Sequence, residues 1–327
     1  MRIRCAEDWD KDVLPVAVTG GTRFEFEIES KHPFLYFKPV VAGNGDTVWS
    51  KGTNYLALAE AGTREVYPYF LAEDACTVCD VREVRENGTP VRYRVFSPPG
   101  YGENTLKRYP VVYMHDGQNV FFPHEAAFGY DWKMPETLTL LAAMNLIDKL
   151  LVVGVYPHDR ERDYTLPGYG THAQRLVERL KPQIDKDFRS LRGPQSTAIM
   201  GSSLGGVAAL HAAWQHPHVF GMAACLSSTF GLRDDLRERI ARERKPPLRI
   251  YLDSGWPGDN YEITRDMASL LTARGFEQGE DMLYFGFPRA HHDERHWAER
   301  VHLPLQFFFG RFVRPGPGSV AATKYLD

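Results

Sequence analysis

Between residues 110 and 309, short apolar β-compatible runs alternate with helix-compatible ones, a pattern that restricts this part of the chain to a parallel α/β sheet. The strand-like runs fall at 110–115, 150–156, 196–201, 220–226, 247–253 and 281–287. The helix-like runs fall near 134–148, 171–188, 203–215, 233–243, 261–274 and 296–309. In an open sheet of this kind, ligand-contacting side chains gather at the carboxyl ends of the strands. One such end carries Gly201-Ser-Ser-Leu-Gly-Gly206, between the apolar run Ser196-Thr-Ala-Ile-Met200 and the Ala-rich run Val207-Ala-Ala-Leu-His-Ala-Ala-Trp214.

A serine on a sharp strand-to-helix turn needs small neighbours, because the backbone is tight and the hydroxyl must stand clear of it. The pattern is that of a nucleophile elbow, with Ser203 as the nucleophile. The competing reading is a glycine-rich turn in which Ser202 or Ser203 caps the following helix. A nucleophilic serine requires a base and an acid further along the chain, so the downstream loops decide between the two.

Ahead of the alternating region the pattern differs. Arg23-Phe-Glu-Phe-Glu-Ile-Glu29 alternates strictly, Phe34–Val41 reads as a strand, and Asn54–Ala59 and Arg64–Leu71 supply two more. Gly43-Asn-Gly-Asp46 is a turn cluster, and helical periodicity is missing. Residues 1–74 are therefore expected to form an all-β, sandwich-like module, with a catalytic α/β domain over 75–327. That domain opens on a hairpin, Val78–Glu86 and Val91–Phe96 around Asn87-Gly88. The Pro/Gly-rich stretch Arg314–Ser319 reads as an exposed terminus.

Charge and cysteine usage remove several classes of function. A net charge of −3 gives no electrostatic case for nucleic acid or an anionic membrane. No apolar stretch has the length of a membrane helix, and the first ten residues lack the apolar core of a secretion signal, so the expected location is cytoplasmic. The four cysteines, Cys5, Cys76, Cys79 and Cys225, fit reduced thiols. Cys76-Thr-Val-Cys79 has no second pair for zinc, and its β-compatible centre reads as strand, not as a redox helix start.

Two loops supply the required partners. Asp253-Ser-Gly-Trp-Pro-Gly-Asp-Asn260 follows the strand run at 247–253, and Pro288-Arg-Ala-His-His-Asp-Glu-Arg-His-Trp297 follows the run at 281–287. Each comes at a strand end, in the order acid then histidine. His292 and His296 are four apart, a spacing that on a helix turns both imidazoles to one metal, but Asp293 stands where a zincin has Glu and no third ligand is evident. No metal and no cofactor is expected.

The chain resembles the esterase D family of α/β-hydrolases, in its enterochelin-esterase-like branch, over residues 75–312. The resemblance rests on Tyr109-Pro-Val-Val-Tyr-Met-His-Asp-Gly-Gln-Asn-Val-Phe121, on Asp131-Trp132 and on Gly201–Gly206. It rests further on Leu252-Asp-Ser-Gly followed by Gly258-Asp-Asn260, and on His292 five residues before Trp297. It implies an α/β-hydrolase fold and a catalytic triad of Ser203, Asp259 and His292. The acid loop is one residue longer than the common form, which leaves Asp253 and Glu262 as alternatives to Asp259. An oxyanion hole is implied at the amides of Leu204 and Gln118, with Gly117 permitting the turn.

Asp159-Arg-Glu-Arg-Asp-Tyr164 resembles the family's Arg-x-x-Glu-Tyr segment, and reads equally as a charged surface loop. Phe121, Trp132 and Trp256 are the candidates to line a substrate pocket, together with Phe122, His124 and Tyr261. The implied activity is carboxylic ester hydrolysis through an acyl-enzyme, on a small-molecule or glycan-linked ester of the enterochelin or feruloyl type. Acyl transfer from the same intermediate, or ligand binding on a retained hydrolase fold, are the alternatives, and a homodimer is left open.

Overall fold

The computed structural model describes residues 1–43, 46–58, 62–71, 75–85 and 88–311. Asn44-Gly45, Ala59, Glu86-Asn87 and the stretch Arg314–Ser319, each part of an expectation above, lie outside these residues.

The first part of the chain builds β1 (Arg2–Cys5), β2 (Asp8–Val13), β3 (Ala17–Thr19), β4 (Arg23–Glu25), β5 (Phe34–Gly43), β6 (Asp46–Trp49) and β7 (Tyr55–Leu58). Among the described residues these make one antiparallel sheet, ordered β2-β1-β5-β6 with β7 also on β5, and a separate β3–β4 ribbon. The expected sandwich is thus one sheet plus a ribbon. Of the alternating run only Arg23–Glu25 is paired, with β3. Its apolar positions Phe26 and Ile28 pack against the small core of Ile3, Cys5, Leu35 and Phe37.

The strand expected at Arg64–Leu71 does not form. Its backbone is committed elsewhere: the amides of Phe70 and Leu71 donate to the Glu103 carboxylate, and the Tyr69 carbonyl accepts from the Lys51 amide. The segment ties the β module to the larger domain and has no ladder to join.

From Thr77 the chain enters a nine-stranded sheet. Its strands are β8 (Thr77–Val78), β9 (Arg82–Val84), β10 (Val91–Ser97), β11 (Val111–Met114), β12 (Leu151–Tyr156), β13 (Thr197–Ser202), β14 (Met222–Leu226), β15 (Arg249–Trp256) and β16 (Met282–Pro288). The order is β16-β15-β14-β13-β11-β12-β10-β8, with β9 also on β10. The strands β11 to β16 are mutually parallel, and β10 runs antiparallel to β12. Cys76 and Cys79 flank the short strand β8, and the Cys79 sulfur accepts the Val95 amide at 3.2 Å.

The helices are α1 (Met134–Ala143), α2 (Arg160–Tyr164), α3 (Tyr169–Arg175), α4 (Lys181–Asp187), α5 (Leu204–Gln215), α6 (Leu236–Arg242), α7 (Tyr261–Ala273), α8 (Glu294–Arg300) and α9 (His302–Phe309). A single π-helical turn, 176–180, joins α3 to α4.

Strand side chains alternate between two cores, as the two-residue period dictates. Val111, Tyr113 and Ile199 point to the layer of α3 to α7, with Leu176, Leu210, Ile240 and Leu271. Val112, Met114, Ala198 and Met200 point to the layer of α1, α8 and α9, with Leu138, Trp297, Val301 and Leu305. The result is a helix–sheet–helix sandwich whose carboxyl edge collects the loops after β11, β13, β14, β15 and β16.

Candidate active site

Ser203 follows β13 directly and holds φ 55° and ψ −126°, a backbone conformation that costs a residue with a side chain energy unless its surroundings enforce it. The enforcement is steric and hydrogen bonded. A Cβ on Gly201 would lie 2.5 Å from the backbone of Gly205, and one on Gly206 would collide with the Ser228 hydroxyl. The Ser203 amide donates to the Leu226 carbonyl at 3.0 Å, tying the turn to the end of β14. Ser202 is buried, whereas Ser203 is partly open and its side chain makes no helix-capping hydrogen bond. The capping role is therefore unused, and the hydroxyl stands at the mouth of the sheet.

Asp259 and His292 meet at the same edge. His292 Nδ1 is 2.7 Å from Asp259 Oδ1, and the Asp259 side chain is fully buried. Asp259 Oδ2 accepts from the Ser227 hydroxyl at 2.5 Å and the Gly255 amide at 2.7 Å, while Oδ1 also takes the Asn260 amide at 2.8 Å. Burial pushes this carboxyl's pKa up, but the hydrogen bonds from His292, Ser227, Gly255 and Asn260 outweigh it and hold it at about 2. An ionised Asp259 accepts only, so Nδ1 carries the proton and the lone pair of His292 sits on Nε2. The imidazole edge packs on Trp297, with ring centroids 5.1 Å apart, which orients it from the other side.

The two alternatives to Asp259 are placed differently. Asp253 is wholly buried and bound by Arg300 at 3.1 and 3.2 Å and by the Tyr251 hydroxyl at 2.9 Å. Glu262 is exposed in the first turn of α7. His291 packs edge-on to His296, which in turn pairs with Asp293. His292 lies ahead of α8, so it shares no helix face with His296.

Ser227 joins these parts, and sequence reasoning missed it. Fully buried at φ 45°, it donates to Asp259 and accepts from the Trp297 indole N–H at 3.0 Å and from Arg300 at 3.2 Å. A chain of polar contacts thus runs from Asp253 through Arg300, Ser227 and Asp259 to His292. Only the small-residue run at 227–229 points to it.

The turn after β11 lies beside the elbow. The left-handed residue there is Asp116, at φ 55°, not Gly117. Gly117 is needed for a different reason: a Cβ on it would lie 2.7 Å from the Gly154 backbone of β12. Asp116 is clamped by Arg160 at 2.8 and 2.9 Å, and its amide donates to the Tyr164 hydroxyl at 3.0 Å. The segment 159–164 is thus a short helix, capped by Asp159, that braces this turn. Gln118 sits in the following 3₁₀ turn. Leu204 opens α5, where the first amides have no carbonyl one turn earlier to bind. Gly205 leaves the two turns close, since a Cβ there would lie 3.2 Å from that of His115.

The three expected pocket aromatics part company. Phe121 and Trp132 are core residues, only 4% and 2% exposed, and Trp132 stacks on Trp297 at 5.8 Å. They pack in the core beneath the loops. Trp256 is 49% exposed, at the end of β15. Among the described residues no group of three or more His, Cys, Asp or Glu is placed to hold a metal ion, and no helix is long and apolar enough to cross a membrane.

This architecture is shared with proteins of known structure. A ferulic acid esterase superposes with a TM-score of 0.62 at 16% identity, over 72% of this chain and 98% of its own. The enterochelin esterase of Shigella flexneri superposes with a TM-score of 0.57 at 18% identity, over 70% of this chain and 57% of its own length. In sequence, the uncharacterized protein YbbA of Bacillus subtilis (strain 168) is 21% identical over 245 residues, covering 67% of this chain and 93% of YbbA. Residues 85–302, the span that carries the elbow, the acid loop and the histidine loop, match the "Putative esterase" family, and the chain belongs to that family of carboxylic ester hydrolases.

Proposed function

We propose that the protein is a serine esterase that works through an acyl-enzyme, with Ser203 as nucleophile, His292 as base and Asp259 as the acid that orients it. The observation that carries this reading is the pairing of a strained, uncapped Ser203 with a histidine whose Nδ1 is held by an ionised, fully buried carboxylate. His292 Nε2 removes the Ser203 proton as Oγ attacks the ester carbonyl. The amides of Leu204 and Gln118 take the developing oxyanion. His292 then protonates the departing alcohol, and in a second round it activates the water that releases the acid. None of these steps draws on a metal or cofactor.

The substrate class we favour is a small ester with an aromatic acyl group. Trp256 offers an exposed aromatic face at the carboxyl edge, and Arg160, 42% exposed while anchored on Asp116, offers a cation at the turn after β11. Both solved relatives carry names of aryl-ester chemistry or siderophore esters, a ferulic acid esterase and an enterochelin esterase. A fluorophosphonate probe tests the nucleophile: it is expected to label the wild-type chain and not Ser203→Ala. An unlabelled wild type would overturn the proposal. A panel of feruloyl, siderophore, acetyl-glycan and thioester substrates, compared by kcat/KM, tests the preference, which fails if the acetyl esters lead.

A further inference from the structure

At the edge of the sheet opposite Ser203, a crevice of about 160 Å³ separates the β module from the larger domain. That is many times the space of one water molecule. Its walls bring together Arg64, from the segment that ties the module down, Lys107 just before β11, and Arg311 just after α9. Asp148, ahead of β12, is the carboxylate set among them; it pairs with Arg311 and lies 3.8 Å from the Lys107 ammonium, too far for a hydrogen bond. Arg64 donates one N–H to the Asn145 side chain at 3.0 Å, while its buried Nε has no partner among the described residues. The Lys107 side chain is only 14% exposed and otherwise meets the faces of Tyr67 and Tyr109, at 5.2 and 5.4 Å.

Cations that outnumber carboxylates in a partly closed, aromatic-walled space are an unbalanced arrangement, because like charges repel more strongly where water is scarce. With Lys51 and Lys149 also on the wall beside Glu65, five cations meet two carboxylates, and three positive charges are left over. Of the two carboxylates, Glu65 is exposed to solvent. A carboxylate ligand would neutralise one of the three; a phosphate dianion neutralises two and supplies acceptors for the Arg64 Nε and the Lys107 ammonium. We infer that this crevice is a binding site for a phosphate group, free or carried by a small phosphomonoester, distinct from the ester-hydrolysing site. The electrostatics agree. Burial lowers the Lys107 pKa to about 8, with Arg311 and Arg64 lowering it further and Glu65 opposing, and burial lowers both arginines to about 10.

The test is isothermal titration of the full chain with inorganic phosphate, and in a second arm with glycerol phosphate, against sodium chloride at matched ionic strength. Saturable binding is expected. Tighter glycerol phosphate binding assigns the site to phosphomonoesters, and tighter inorganic phosphate binding assigns it to the free ion. Lys107→Met is expected to weaken binding about tenfold or more, and Asp148→Asn to tighten it. Ser203→Ala is expected to leave affinity unchanged, and Lys107→Met to leave ester turnover unchanged. At pH 8 the titration is expected to take up about half a proton per phosphate, read from two buffers of different ionisation heat, as the bound anion recharges Lys107. The inference fails if no saturable binding exceeds the chloride control. It fails equally if Asp148→Asn does not tighten binding, or if Ser203→Ala abolishes it. The Asp148→Asn arm keeps the test decisive should Lys107→Met not fold.

Discussion

Ser227→Ala is the substitution that best separates a working relay from good packing. It removes one oxygen, leaves Cβ in place, and so preserves the backbone at φ 45° without enlarging the side chain. That oxygen gives Asp259 its 2.5 Å hydrogen bond and receives those of Trp297 and Arg300. Arg300 keeps its two bonds to Asp253, and Asp259 keeps the Gly255 and Asn260 amides, so the unsatisfied group is chiefly the buried Trp297 indole N–H. Such a group costs about 1–3 kcal/mol, which for a chain of this size lowers Tm by roughly 2–10 °C. The catalytic consequence is separate. With one of four hydrogen bonds to the carboxylate gone, burial gains weight and the Asp259 pKa rises from about 2. The carboxylate also gains freedom to turn from His292. We expect kcat to fall about 10- to 100-fold, some 1.4–2.7 kcal/mol of barrier, with KM nearly unchanged and the acid limb of kcat/KM moved to higher pH. Steady-state hydrolysis of an aryl acetate from pH 3 to 9, beside thermal unfolding, measures both effects. A variant that loses stability but keeps kcat and its acid limb would refute the relay and leave Ser227 a packing residue.

Other outcomes follow from the same geometry. Asp259→Asn is expected to lower kcat about 10³–10⁴-fold, because an amide presents a donor or a neutral acceptor and no longer fixes the Nδ1–H tautomer; Asp253→Asn is expected to act through stability, measured by the Tm, because it strands Arg300. Gly206→Ala is expected to destabilise by about 1–3 kcal/mol through its clash with Ser228, whereas Gly205→Ala, whose Cβ meets a neighbour at 3.2 Å, is expected to be milder in the same unfolding assay. Acid unfolding is expected to be governed by buried histidines. Burial lowers His115 and His211 from 6.5 to about 4, and His172 well below its usual value. Since the unfolded chain then binds more protons, stability falls as pH drops from about 6.5 toward 4, by about 3 kcal/mol for His115 alone. Asp259 adds a second loss of about 2 kcal/mol between its unfolded pKa near 3.8 and its folded value near 2. Urea midpoints at pH 7, 5 and 4 read the first fall, which would be absent if those imidazoles were charged in the folded state.

The parts of this site that can be read in the sequence are those built by neighbours along the chain. An elbow is a local object: Gly201, Ser203, Gly205 and Gly206 lie within six residues, and the sterics that demand glycine operate within the same turn. The order of strand ends then places the acid and histidine loops beside it, because parallel strands with right-handed crossovers bring successive carboxyl ends to one edge. What the sequence hides is contact between residues far apart. The choice among Asp253, Asp259 and Glu262 turns on Arg300, which takes Asp253 out of contention from 47 positions away. Ser227 reaches Asp259, Trp297 and Arg300 across 32, 70 and 73 positions. The burial of Phe121 and Trp132 is hidden for the same reason, since an aromatic on a loop near a site is equally fit to pack under it, and Trp132 stacks on the distant Trp297. The need for glycine at 117 is likewise set by a distant strand. Its neighbour Asp116 adopts the left-handed conformation, held there by Arg160, and Gly117 is small because β12 passes against it. A site of this type is therefore specified twice, once by the local backbone geometry at Ser203, and once by a buried polar network that determines which of several eligible carboxylates pairs with His292.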